Sequence, residues 1–103
     1  MHYNLIISQR AEEMLDEIVN YLIQHLKSRQ AALHLLTDLE QVYCRLKDNP
    51  YQFPICKEDY LMKKEYRVVP LKNINYILIF KVLNDTVCVL GIFHQLEQYN
   101  KKL

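Results

Sequence analysis

Residues 65–70 read EYRVVP, 71–74 LKNI, 75–83 NYILIFKVL and, after Asn84-Asp85, residues 86–94 read TVCVLGIFH. Apolar side chains run almost unbroken from Tyr76 to Leu83 and from Val87 to Phe93, as in central strands that pack against something on a face. Asn and Asp tolerate positive φ, so Asn84-Asp85 can close a two-residue hairpin. The block from Glu65 to His94 therefore predicts three strands joined by tight turns. Two polar residues stand out in it, Arg67 early and His94 at the end. Gly91, the only glycine in the chain, stands inside a strand, where a glycine marks a bulge or a close backbone approach.

Upstream, HYNLIIS (residues 2–8) alternates, with Tyr3, Leu5 and Ile7 on one side, which predicts a half-buried first strand. The period then changes from two to 3.6. Ser8 can cap a helix, with Glu12 and Glu13 near the positive end of its dipole. Ala11, Met14, Leu15, Ile18, Leu22 and Leu26 fall on one stripe of that helix. Ser28 offers a second cap, and Ala32, Leu35, Leu36, Leu39, Tyr43 and Leu46 repeat at helical spacing until Asn49-Pro50 ends the run. So short a connection predicts an antiparallel helical hairpin. Residues 50–64 predict an ordered loop anchored by Tyr51, Phe53, Ile55 and Leu61, and QLEQYNKKL (residues 95–103) a polar tail docked by Leu96, Tyr99 and Leu103.

The expected fold is α+β: a three- or four-stranded, mainly antiparallel sheet in the order β-α-α-β-β-β, with the two-helix hairpin on one face. At 103 residues, half of them hydrophobic, the chain predicts a single domain over residues 1–103. Such a small domain is expected to leave its other sheet face and edges partly apolar, open to a partner.

Composition narrows the function. Net charge is +1, but residues 1–50 carry five basic and seven acidic side chains, and residues 51–103 eight and five. The sheet half is mildly cationic, which is less than a dedicated nucleic-acid binder needs to neutralise several phosphates. Three cysteines, Cys44, Cys56 and Cys88, show no CxxC spacing, and a reducing cytoplasm is the expected location. No apolar run approaches the roughly 20 residues that span a bilayer. His2, His25, His34 and His94 show no paired spacing, so no metal is expected, and a single glycine leaves no phosphate-binding loop. No cofactor is expected.

The helix pattern AEEMLDEIVNYL (11–22), the pair Tyr66-Arg67, NYILIFKV (75–82) and VLGIFH (89–94), in this order and spacing, resemble the RelE/ParE superfamily of toxins from bacterial type II toxin–antitoxin modules. The resemblance covers nearly the whole chain. It implies a toxin that arrests growth, with a cognate antitoxin as partner, and it allows a homodimer. Two activities share the fold: ParE-like inhibition of DNA gyrase, and RelE-like cleavage of messenger RNA on the translating ribosome. Fold alone does not choose between them. A degenerate, non-toxic antitoxin-binding protein is a third reading, so whether the chain is an enzyme stays open.

RNA cleavage through the substrate's own 2′-hydroxyl needs a base, an acid and cations around the phosphorane. The RelE-like pattern places Arg67 where a cation is expected, but Val69, Ile77 and Gln95 where further cations are expected. His94 could carry a proton, and Tyr99, Lys63 or Lys64 could assist. If the chain is a nuclease, Arg67, His94 and Tyr99 are its candidate catalytic residues. The structural alternatives are an ion pair of Arg67 with Glu65 or with a loop acid, and a hydrogen-bonded scaffold histidine at His94. With its cationic set thinned, and with a histidine closing the strand GIFH, the chain resembles the ParE branch more.

Overall fold

The computed structural model describes residues 2–95; the expected C-terminal docking of Leu96, Tyr99 and Leu103 lies outside them. Strand β1 (Asn4–Ile7) leads into helix α1 (Gln9–Asn20), whose end passes into a π-helical turn over Tyr21–His25. Helix α2 (Arg29–Asp48) follows, then a 3-10 turn (Pro50–Gln52) and a short helix α3 (Asp59–Lys63). Strands β2 (Arg67–Pro70), β3 (Tyr76–Leu83) and β4 (Thr86–His94) complete the sheet, in the order β1-β4-β3-β2.

The helix boundaries follow from local chemistry. Ser8 Oγ accepts from the Ala11 amide and Ser28 Oγ from the Ala31 amide, both at 3.1 Å, each satisfying a first-turn N–H that the helix cannot. Asn49 accepts from the Tyr51 amide, and Pro50 opens the next turn. Between the helices, Lys27 takes φ 52°, and the Ser28 amide donates to the Leu22 carbonyl at 2.9 Å. The chain thus reverses without glycine.

The strand block forms as expected. Asn84 takes φ 58°, and Leu83 pairs with Thr86 across the two-residue turn. Pairings β2–β3 and β3–β4 are antiparallel, whereas β1 runs parallel to β4. The sheet is therefore mixed, mainly antiparallel with one parallel edge. Pro70 stands at the end of edge strand β2, where its missing N–H breaks no ladder bond.

Both helices pack on one face of the sheet. Ala11 and Leu22 from α1 and its π turn, and Ala32, Leu35, Leu39, Val42 and Leu46 from α2, join Leu78, Phe80, Val87, Val89 and Ile92 in one core. Leu26 and Leu36, expected in that core, are 54% and 43% exposed. Leu26 lies beyond the π turn, whose extra residue rotates it off the stripe.

The opposite face is not open. Ile77, Ile79 and Phe93 are buried with Cys56 and Leu61, flanked by Met14, Tyr66, Val68 and Leu90. Residues 50–64 supply part of this cover, so they are more than a loop. Phe53 and Leu61 anchor them as expected, but Tyr51 and Ile55 are exposed and Cys56 is the buried residue instead.

Candidate functional site

Arg67 opens β2 opposite Phe80, on the face that carries the helices. Its Nη1 donates to the Phe53 carbonyl at 2.6 Å, and its guanidinium lies 5.0 Å from the centre of the Tyr51 ring. Tyr51 in turn meets the Tyr3 ring edge-on at 6.1 Å. Beside this contact the backbone of residues 54–56 bonds to β2: Val68 N–H donates to the Pro54 carbonyl and Cys56 N–H to the Tyr66 carbonyl. Arg67 clamps this segment onto β2. Glu65 and Arg67 line one shallow depression with Tyr51 and Val82.

His94 ends β4 opposite Tyr76, whose ring it meets edge-on with centroids 5.2 Å apart. The face it occupies is set by a bulge. Ile79 pairs with Gly91 and Phe80 with Val89, so Leu90 has no partner in β3. After that extra residue the alternation inverts. His94 shares its face with Ile92, and that face is continued before the bulge by Val89 and Val87 rather than by Leu90 and Cys88. Gly91 permits the arrangement, since a Cβ there would stand 2.7 Å from the Phe93 ring and 3.2 Å from Met14 Sδ.

The structure does not bring Arg67 and His94 together. They lie on strands flanking β3, opposite Phe80 and Tyr76, which are four residues apart. At ordinary rise and strand spacing that puts their Cα atoms roughly 16 Å apart. No single phosphate could touch both residues at that separation without long reaches from each. Val69 and Ile77, at the places where cations are expected, are 2% and 6% exposed and belong to the packing. Lys64 lies over the Tyr60 ring at 4.4 Å and the Tyr66 ring at 5.7 Å, and the Tyr60 hydroxyl raises its pKa. Tyr66 is on the opposite face from Arg67, so Lys64 does not complete an Arg67 site. Tyr99 lies outside the described residues.

Other reactive groups do not fill the gap. Burial pushes the Cys56 thiol up to about 11, with the Glu58 carboxylate adding to the shift, which leaves it unreactive near neutrality. Among the described residues no group of three His, Cys, Asp or Glu is placed to hold a metal ion. None of their helices is long and apolar enough to cross a membrane.

The residue that sequence reasoning missed is Asp38, 2% exposed. Its carboxylate accepts from the Asn73 amide N–H and from the Asn73 side chain, each at 2.7 Å. The signal was present: Asp38 stands three residues after Leu35 and four before Val42, on the face that periodicity assigns to the core.

No curated protein sequence matches the chain. Its fold is similar to that of a chain solved in "Chromosomal ParDE TA system from P. aeruginosa", with TM-score 0.72 and 18% identity, covering 90% of this chain and 96% of that one. The family model described as ParE toxin of type II toxin-antitoxin system, parDE, matches residues 5–99. With that match spanning nearly the full length, the chain belongs to the ParE toxin family of type II toxin–antitoxin systems.

Proposed function

We propose that this toxin arrests growth by binding DNA gyrase and inhibiting it, and that it does so without cutting nucleic acid. The observation that carries this reading is the separation of Arg67 from His94, with packed apolar side chains at Val69 and Ile77 between them in the pattern. Transition-state stabilisation needs its charges within a few ångströms of the reacting phosphate, and among the described residues no such group assembles. Binding a protein target makes no such demand. A cognate antitoxin is the second partner, and the cytoplasm, where gyrase works, is the site of action.

A gyrase supercoiling assay with purified toxin tests this. Inhibition at micromolar toxin is expected, and it is expected to persist in folded Arg67→Ala and His94→Ala proteins because neither residue is a catalyst here. Absence of inhibition removes the proposal. Messenger fragments from translating ribosomes that disappear in those two variants establish the RNA-cleaving activity instead. Normal growth without antitoxin establishes an inert binding protein.

A further inference from the structure

The segment between α2 and β2 straddles an edge of the sheet. Phe53 belongs to the helix-side core, where its ring meets Phe80 edge-on at 6.1 Å and lies 4.7 Å from the Arg45 guanidinium. Cys56 and Leu61, 1% and 0% exposed, belong to the cluster on the other face. Between these anchors the chain crosses the edge strand β2, with Ile55 bridging Arg67 in the antiparallel sense.

The two sides of this crossing are held differently. Phe53 is fixed by its ring contacts and by the Arg67 bond to its carbonyl at 2.6 Å. Beyond it, Cys56 and Leu61 are the only buried residues of 54–64, and Glu58 is partly buried. None of residues 54–64 enters the helix-side core, so lifting them from the edge leaves that core intact.

Backbone pairing at the edge is halved as well. A hydrogen-bonded antiparallel pair exchanges two bonds. The Val68 N–H donates to the Pro54 carbonyl at 3.1 Å, but Pro54 has no N–H to return. The Cys56 N–H donates to the Tyr66 carbonyl at 2.8 Å, but the Tyr66 N–H goes to the Leu61 carbonyl at 3.0 Å. At the far end Glu65 holds φ 59°, a left-handed conformation that disfavours a side-chain-bearing residue and is relieved once Leu61 and Tyr66 part. The segment thus has a fixed start, a strained end and half a ladder between them.

We propose that residues 54–64 form a strap that swings off the β2 edge as a unit, turning about Phe53 and Glu65, while the helix-side core stays closed. Opening frees the Val68 N–H and the Tyr66 carbonyl, and it removes Cys56 and Leu61 from Ile77 and Ile79. An apolar face beside an unpaired strand edge is the surface that an extended peptide takes. The strap, rather than unfolding of the whole chain, governs access to that surface.

Thiol labelling of the full chain tests this, with Cys56 followed by peptide-resolved mass spectrometry at urea concentrations below the unfolding transition. Local opening exposes little surface, so the Cys56 rate is expected to stay nearly flat at low urea and to steepen only where global unfolding takes over. Leu61→Ala is expected to raise the flat rate at least about tenfold, and Leu61→Val to raise it less. Leu39→Ala, which lowers global stability from the helix-side core, is expected to leave the flat rate within about twofold. A Cys56 rate that climbs steeply from the first additions of urea overturns the proposal, as does a flat rate that Leu39→Ala and Leu61→Ala raise alike. Labelling of Cys56 as fast as that of exposed Cys44 also overturns it, because the closed strap would then not be the resting state.

Discussion

Asp38 of α2 and Asn73 of the turn between β2 and β3 are joined by two hydrogen bonds of 2.7 Å, backbone N–H to Oδ2 and side-chain amide to Oδ1. The carboxylate is buried whereas Asn73 is exposed, so one acidic group ties the helical layer to the rim of the sheet. Bonds to a charged group contribute more than neutral ones. Asp38→Ala is therefore expected to lower stability by about 2–4 kcal/mol, and Asp38→Asn by less because one acceptor remains. Urea unfolding measures both, and a loss under about 0.5 kcal/mol in Asp38→Ala would show that the latch contributes little.

The Gly91 bulge gives a second expectation. Phe93 is fully buried, so its ring cannot swing away cheaply from a Cβ placed 2.7 Å off. Gly91→Ala is expected to cost about 1–3 kcal/mol through overpacking. Adding Phe93→Leu frees the clashing ring atoms, so the double variant should lose less than the two single losses combined. Strict additivity in urea unfolding would locate the strain elsewhere.

The strand block and both helix starts were legible because their signals are local. Alternation, Asn84-Asp85, and the hydroxyls of Ser8 and Ser28 act over a turn or less. What escaped was set by distant contacts or by elements too short for periodicity. Helix α3 has five residues and stops at Glu65, in the left-handed conformation at φ 59°, where glycine would have announced the end. Arg67 stands out in the sequence, yet its partner is not Glu65 but a carbonyl fourteen residues upstream, which no spacing rule reaches. The face of His94 depended on the bulge at Leu90–Gly91, and one extra residue was enough to invert it.

The three thiols differ in reach: Cys44 is exposed, Cys88 partly buried and Cys56 buried. A thiol reagent is expected to label Cys44 first and Cys56 last, as mass spectrometry of partially modified protein would show. The raised Cys56 value also carries a sign for stability. Folding favours the neutral thiol, so this contribution is fully present below the ordinary value of 9.0 and is lost as pH rises through about 11. Across that window the parent is expected to lose about 1–2 kcal/mol more than Cys56→Ala, solvent screening taking up part of the full effect. Equal slopes in pH-dependent urea unfolding would place the shift on another group.

Glu65 closes α3 with a pair of bonds that define its end: its own N–H donates to the Met62 carbonyl at 2.9 Å, and the Tyr66 N–H to the Leu61 carbonyl at 3.0 Å. Tyr66 and Leu61 then meet in the same apolar cluster, completing a Schellman-type stop. The left-handed backbone that this geometry requires costs a side-chain-bearing residue about 1 kcal/mol. Glycine avoids that cost but gains freedom in the unfolded chain, which returns part of it. The Glu65 side chain is exposed and gives up little packing. Glu65→Gly is therefore expected to raise stability by about 0.5 kcal/mol, and Glu65→Val to lower it, because a β-branched residue resists positive φ. Glu65→Ala removes the charge beside Arg67 while keeping the backbone cost, so it separates the two effects. A Glu65→Gly protein less stable than Glu65→Ala in thermal or urea unfolding would contradict the left-handed stop, and with it the register in which β2 leaves α3.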